Sequence, residues 1–189
     1  ALELHEGLAA YTNGAMRESV RHIVGVQLRN LATVGGSLYS RFGFSDVLTM
    51  FLVLDAQVEL YKGGIVPLSE YAERPKDRDI LVRIIVPKKN AKFNYQSVRI
   101  SQTDIPVLTC AAARLQDGSY RFAVGARPLK AVLYEEPAAP AQQLAETIQQ
   151  QVVTGSNMRG SAEYRRHLTG VLVRRAAEEL ENRAVQEGN

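Results

Sequence analysis

The chain has 189 residues, of which 46% are apolar and 23% charged, and its 23 basic and 20 acidic side chains leave a formal net charge of +3. One ordinary or two small globular domains fit these values; general disorder does not, and the near balance of charge gives little support for a nucleic-acid binder. No apolar run approaches the length that crosses a bilayer, the N-terminus lacks a signal-peptide pattern, and the lone Cys110 makes an internal disulfide or an iron–sulfur cluster (about four thiolates) impossible, so a soluble protein of the reduced cytoplasm is expected.

From Leu2 to about Leu31 the pattern predicts a helix, with Met16, Val20, Ile23 and Val24 at three- and four-residue spacing. The pair Gly35-Gly36 is expected to end regular structure, because adjacent glycines favour turns. Ser45 is placed to cap a short helix with Asp46 in its first turn and Leu48, Met50, Phe51, Leu52 and Leu54 on its buried side. Ala56 to Tyr61 alternates as a strand, Lys62-Gly-Gly64 turns the chain, and the polar stretch Glu70 to Arg78 leads to a β-branched run, Asp79 to Pro87, that reads as another strand. The polar Lys88 to Lys92 is a candidate boundary. Beyond it a meander is expected, with strands at Phe93 to Ile100, Val107 to Leu115, Ser119 to Val124 and Leu129 to Tyr134, and a hairpin signal at Asp117-Gly118. Two helices close the chain, Gln142 to Val153 and one from Ser161 that carries Tyr164, Leu168, Leu172, Ala176 and Leu180 at fourfold spacing. The fold class is therefore α+β in two parts, residues 1–88 and 89–189.

Few side chains are grouped for chemistry. His5, His22 and His167 are scattered and lack neighbours at metal-ligand spacing. Asp77 and Asp79 sit in a polar loop with no sign of a paired acid–base site, and Cys110 lies in an apolar run that suits a small core residue. Arg159, Arg165, Arg166, Arg174, Arg175 and Arg183 are interspersed with Glu163, Glu178, Glu179 and Glu181, which reads as a solvated or subunit-facing helix. No catalytic or metal-binding residue is expected. The glycine pair is the one feature with binding potential, since bare backbone N–H groups can meet phosphate oxygens; alone it reads as a turn.

Its context is more specific. Gln27-Leu-Arg-Asn-Leu-Ala-Thr-Val-Gly-Gly-Ser37, then Ser45-Asp46, then Leu54-Asp-Ala-Gln-Val-Glu-Leu60, resembles the FAD-binding flavoprotein component of the molybdenum hydroxylases, the xanthine dehydrogenase and carbon monoxide dehydrogenase family. A second, independent stretch, Gly160-Ser-Ala-Glu-Tyr-Arg-Arg-His-Leu-Thr-Gly-Val-Leu-Val-Arg-Arg175, is similar to the helix that ends that family's C-terminal domain. The resemblance implies the second half of a PCMH-type FAD-binding domain, followed by an antiparallel meander of three or four strands and two C-terminal helices. It implies that Thr33, Val34, Gly35, Gly36 and Ser37 form one of two FAD-contacting loops, that Asp46 reaches the ribityl or adenosine part, and that Ile80 and Leu81 pack against a flat ring. Aliphatic surface, a carboxylate and free backbone donors are the groups that a dinucleotide needs.

The chain departs from the family pattern in three ways. The first glycine loop, an Ala-Gly-Gly-Thr type sequence in an N-terminal subdomain, is absent, so the chain reads as a fragment or one piece of a split protein. Ser37 replaces the usual Asn, and a Lys found near the flavin in many members aligns with Ser97 or Gln96. FAD binding by these residues alone is accordingly expected to be weak or absent. The resemblance further implies an electron-transfer role, with [2Fe–2S] clusters and the molybdenum cofactor on partner chains, an iron–sulfur subunit and a molybdenum subunit, and no nucleic-acid or membrane partner. The rival expectation is a non-catalytic assembly module of the same complex that has lost FAD binding.

Overall fold

A computed structural model describes residues 1–76 and 78–187; Asp77, one of the two loop carboxylates considered above, lies outside the described residues. The expected N-terminal helix is broken into a 3₁₀ turn at Leu2–Leu4 and three short helices, α1 (Glu6–Tyr11), α2 (Ala15–Arg21) and α3 (Val26–Leu31). The breaks fall where the backbone turns left-handed, at Asn13 (φ 51°) with Gly14 (φ 83°) and at Val24 (φ 47°). Neither asparagine nor glycine resists that conformation. Helix α4 (Val34–Ser40) and helix α5 (Asp46–Val53) follow, and every residue of α5 is buried. Ser45 caps α5 as expected, its Oγ accepting from the Leu48 N–H at 3.1 Å.

Strands β1 (Gln57–Leu60) and β2 (Gly64–Pro67) form a hairpin, and β3 (Leu81–Ile85) pairs with the other edge of β1, all antiparallel. Between β2 and β3 the polar stretch contains an unexpected helix, α6 (Leu68–Glu73), which buries Leu68, Tyr71 and Ala72. The second sheet is the predicted meander: β4 (Ala91–Val98), β5 (Leu108–Leu115), β6 (Tyr120–Gly125) and β7 (Val132–Glu136), in that spatial order. Asp117-Gly118 makes its tight turn, with Gly118 at φ 85° and the Asp117 carboxylate accepting from the Ser119 N–H and hydroxyl. Helices α7 (Ala141–Gln151) and α8 (Ala162–Glu187) complete the chain.

The four-stranded sheet lies between two cores because its strands alternate. Ala111, Ala113 and Ala123 face α5 and join Leu48, Met50, Phe51, Met16 and Val58. Cys110, Ala112, Phe122 and Val124 face the other way and join Leu144 and Ile148 of α7 with Leu168, Leu172, Ala176 and Leu180 of α8. Cys110 is the inert core thiol that its apolar run suggested: burial pushes it up to about 12. Two details of α8 differ from expectation. Tyr164, the first residue of the expected stripe, is 45% exposed. Arg165, grouped with the solvated arginines, is fully buried, donating to the carbonyls of Val107 (2.9 Å), Gly155 (2.8 Å) and Gly160 and to Asn157 Oδ1 (2.5 Å). It ties the loop before α8 to the start of β5. Among the described residues no helix is long and apolar enough to cross a membrane.

Candidate functional site

The glycine pair does not end regular structure; it forms part of the first turn of α4. Thr33 caps that helix, its Oγ1 accepting from the Gly36 N–H at 3.0 Å, while the Ser37 N–H reaches the Thr33 carbonyl at 3.1 Å. Each helical glycine costs up to about 1 kcal/mol relative to alanine, and the cap together with the buried Leu38 offsets this. The N–H groups of Val34 and Gly35 are the first two of the helix, so they have no acceptor within it and sit at its positive end. A Cβ at Gly36 would lie 2.8 Å from Thr33 Oγ1 and break the cap; one at Gly35 would lie 4.0 Å from Leu81 Cδ2, an ordinary contact.

The fold therefore brings Leu81 against Gly35. Ile80, 64% exposed, stands beside it at the start of β3. Asp79 fixes this corner: its carboxylate accepts from the N–H groups of Lys62 (3.0 Å), Gly63 (2.8 Å) and Ile80 (2.8 Å). Desolvation pushes its carboxyl up, but those donors together hold it below the ordinary aspartate range. Sequence reasoning missed this role, because the Lys62-Gly63 turn that Asp79 holds lies sixteen residues earlier in the chain.

Thr33, Val34 and Ser37 line a cleft of about 140 Å³ with Leu4, Ile23 and Arg29. Arg29, whose guanidinium lines this cleft, is already committed to Glu3 Oε2 (2.9 Å) and the Ile23 carbonyl (3.1 Å). Sites for whole cofactors run to roughly 300–1,000 Å³. The glycine turn, its free N–H groups and Leu81 thus fit one wall of a dinucleotide site, and the cleft holds only part of such a ligand.

Asp46 is placed apart from this wall. It opens α5 but its side chain turns inward, Oδ1 accepting from the Tyr95 hydroxyl (2.5 Å) and from the Arg99 guanidinium, with the Arg99 and Asp46 side chains 7% and 6% exposed. Burial pushes the Asp46 carboxyl up, and Arg99 and Tyr95 pull it back; burial also drives the Tyr95 hydroxyl well above its usual range. Its neighbour Val47, not Asp46, lines the glycine-turn cleft. Gln96 and Ser97 line a separate open cleft of about 490 Å³ with Glu18, His22, Arg99 and Arg175. His167 is exposed, and among the described residues no three His, Cys, Asp or Glu side chains are grouped for a metal.

Residues 3–89 match the family described as the FAD binding domain in molybdopterin dehydrogenase, and residues 93–180 match the CO dehydrogenase flavoprotein C-terminal domain. The chain is 28% identical, over a 193-residue alignment, to the xanthine dehydrogenase FAD-binding subunit of Escherichia coli O157:H7, covering 87% of this chain and 65% of that protein. It is 27% identical over 168 residues to the uncharacterized protein YgfM of E. coli K12, covering 87% and 64%. The chain thus spans just under two thirds of the length of these relatives. In fold it is similar to CO dehydrogenase from Oligotropha carboxidovorans (TM-score 0.84, 23% identity, 97% of this chain and 72% of that one). It is similar also to quinoline 2-oxidoreductase from Pseudomonas putida 86 (TM-score 0.81, 18% identity, 96% and 71%). With a glycine turn on one half, a four-stranded meander and helix pair on the other, and a family match on each, the chain belongs to the FAD-binding flavoprotein subunits of the xanthine and CO dehydrogenase family.

Proposed function

We propose that this chain supplies the second half-site of an FAD pocket in a molybdenum hydroxylase and works there in electron transfer. The carrying observation is the first turn of α4, where the Val34 and Gly35 N–H groups lack helical acceptors beside Leu81. Thr33 to Ser37 would hold pyrophosphate oxygens, and Ile80 with Leu81 would cover a flat ring. Residues 1–88 act as the C-terminal part of the FAD-binding domain and residues 89–189 as the module that braces it. Asp46 acts mainly from behind, fixing α5 to β4 through Tyr95 and Arg99, instead of reaching the ribityl chain. When bound, FAD would carry electrons from [2Fe–2S] clusters on a partner iron–sulfur subunit to NAD or another acceptor, the molybdenum cofactor lying on a third chain. This chain's own residues bind, orient and shield.

The opposite wall comes from a segment carrying the family's first glycine loop. Leu4, Leu31 and Ile80, each more than 60% exposed near the glycine turn, are apolar surface that such a segment would cover. Hydrogen bonds to charged groups contribute about 1.5–3 kcal/mol each. Three missing donors then weaken FAD by about three to six powers of ten, at 1.4 kcal/mol per tenfold. Residues 1–189 alone should bind FAD weakly or not at all.

The small cleft and the inward commitment of Asp46 favour one further reading, a module that keeps the fold for assembly and no longer takes FAD. Flavin-fluorescence titration of the chain assembled with the first-loop segment separates the two. Tight binding lost on substitution at Gly35 supports the flavin half-site; no binding in the assembled protein supports the assembly module.

A further inference from the structure

Among the described residues, no strand pairs with the outer edge of β4. β4 ends the sheet order and bonds only to β5. The Phe93 carbonyl faces outward, where Arg183 donates to it at 3.2 Å, so by antiparallel alternation the N–H and C=O of Tyr95 and Ser97 also point away from β5. No strand receives them. Two clefts, about 490 and 350 Å³, run along this edge between α2 and α8 and share Glu18 and Tyr95.

Each cleft holds a buried polar atom without a hydrogen-bond partner. Asn94, 5% exposed, lines the smaller cleft and its Oδ1 is unsatisfied; Arg99, its side chain 7% exposed, lines the larger and its Nε is unsatisfied. Orphaned polar atoms at such depth are uncommon and call for a partner. One needs a donor and the other an acceptor, and they belong to residues five apart in sequence, Asn94 within β4 and Arg99 just past its end, about 17 Å of extended chain at about 3.4 Å per residue. A small ion cannot serve both. An extended polypeptide can, because it offers donors and acceptors at the strand repeat.

The charges along the edge select its chemistry. Glu18 is taken by Arg21 (3.0 Å), and Glu179 by Arg183. Burial and Arg21 hold His22 below its ordinary value, so it is neutral at neutral pH. Arg175, exposed on α8, has no ion pair among the described residues, which leaves the edge with unneutralised positive charge. We infer that the free edge of β4 is a docking site where an extended, acidic segment of a partner protein adds as a fifth strand between α2 and α8. This inference does not depend on the flavin half-site.

The test is panning of a phage-displayed library of random dodecapeptides on the purified full chain, followed by titration of the best peptide in synthetic form. Acidic, proline-poor peptides should be enriched. Binding should fall at least tenfold with Arg175→Glu, and also with Ser97→Pro, which removes one outward N–H without touching the β4–β5 ladder. N-methylation of every second peptide amide should abolish binding while methylation of the intervening set leaves it intact. Thermal melts establish that both variants fold; Arg175 is exposed, so its replacement keeps the test valid should Ser97→Pro fail. No enrichment over an unrelated protein, or peptides indifferent to Arg175→Glu and to N-methylation, would overturn the inference. So would peptides displaced by FAD with no dependence on their amides, which would assign the cleft to the flavin.

Discussion

Gly35→Ala separates a glycine kept for a ligand from one that only turns the chain. Gly35 is half-buried in the first turn of α4 and is absent from the left-handed positions, so alanine fits its backbone. The added Cβ meets only Leu81 Cδ2 at 4.0 Å. Replacing a compatible glycine stabilises by about 0.4–1 kcal/mol through the unfolded state. At roughly 2–4 °C per kcal/mol for a chain of this size, Tm should rise by about 1–4 °C. The same methyl group stands beside the free N–H groups of Val34 and Gly35, where a pyrophosphate oxygen would approach. Loss of one charged hydrogen bond, about 1.5–3 kcal/mol, weakens FAD roughly ten- to hundredfold. Thermal unfolding and flavin-fluorescence titration of the assembled flavoprotein read both effects. A higher Tm with unchanged affinity would show that phosphate does not sit on this turn, and a lower Tm would refute the packing argument. Gly36→Ala is the contrast: its Cβ, 2.8 Å from Thr33 Oγ1, breaks the cap and should lower stability by about 1 kcal/mol as well as affinity.

Three further outcomes follow from the packing. Asp46→Asn leaves the Arg99 guanidinium buried without its counter-charge and should cost about 3–5 kcal/mol in urea unfolding; a cost under 1 kcal/mol would mean that the pair is solvated. Arg165→Lys cannot bridge the three carbonyls and Asn157, and a similar loss should lower Tm by roughly 6–20 °C in calorimetry. Although burial tends to raise the Asp55 carboxyl, Lys89 and Arg121 hold it below the ordinary aspartate value. A depressed acid contributes stability above its unfolded pKa and loses it as pH falls through the folded one, so Asp55→Asn should flatten the stability curve below about pH 4. An unchanged acid limb would contradict that assignment.

Much of the fold was legible because its signals are local. The four meander strands show in their alternation and in Asp117-Gly118, and α5 shows in Ser45 with Asp46. What escaped depends on contacts distant in sequence or on conflicting local preferences. Gly35-Gly36 argues for a turn on propensity, yet the Thr33 hydroxyl and the buried Leu38 carry the helix through it. Asn13-Gly14 breaks the N-terminal helix, and the apolar spacing on both sides conceals that break in the sequence. The residue types of the candidate site were legible, but their placement was not: the fold sets Leu81 near the glycine turn, and Asp46 turns inward because Tyr95 and Arg99, about fifty residues away, close over it. Arg165 reads as one of six similar arginines, and only the loop carbonyls packed around it set it apart.

The central claim, that residues 33–37 with Leu81 form one wall of an FAD site completed by another segment, is tested most directly by one calorimetric comparison: FAD titrated into residues 1–189 alone and into the same chain assembled with the first-loop segment. A gain of at least three powers of ten in affinity on assembly, cut back by Gly35→Ala, is the predicted result. Equal affinity in both states, or tight binding in the assembly that ignores Gly35→Ala, would contradict it.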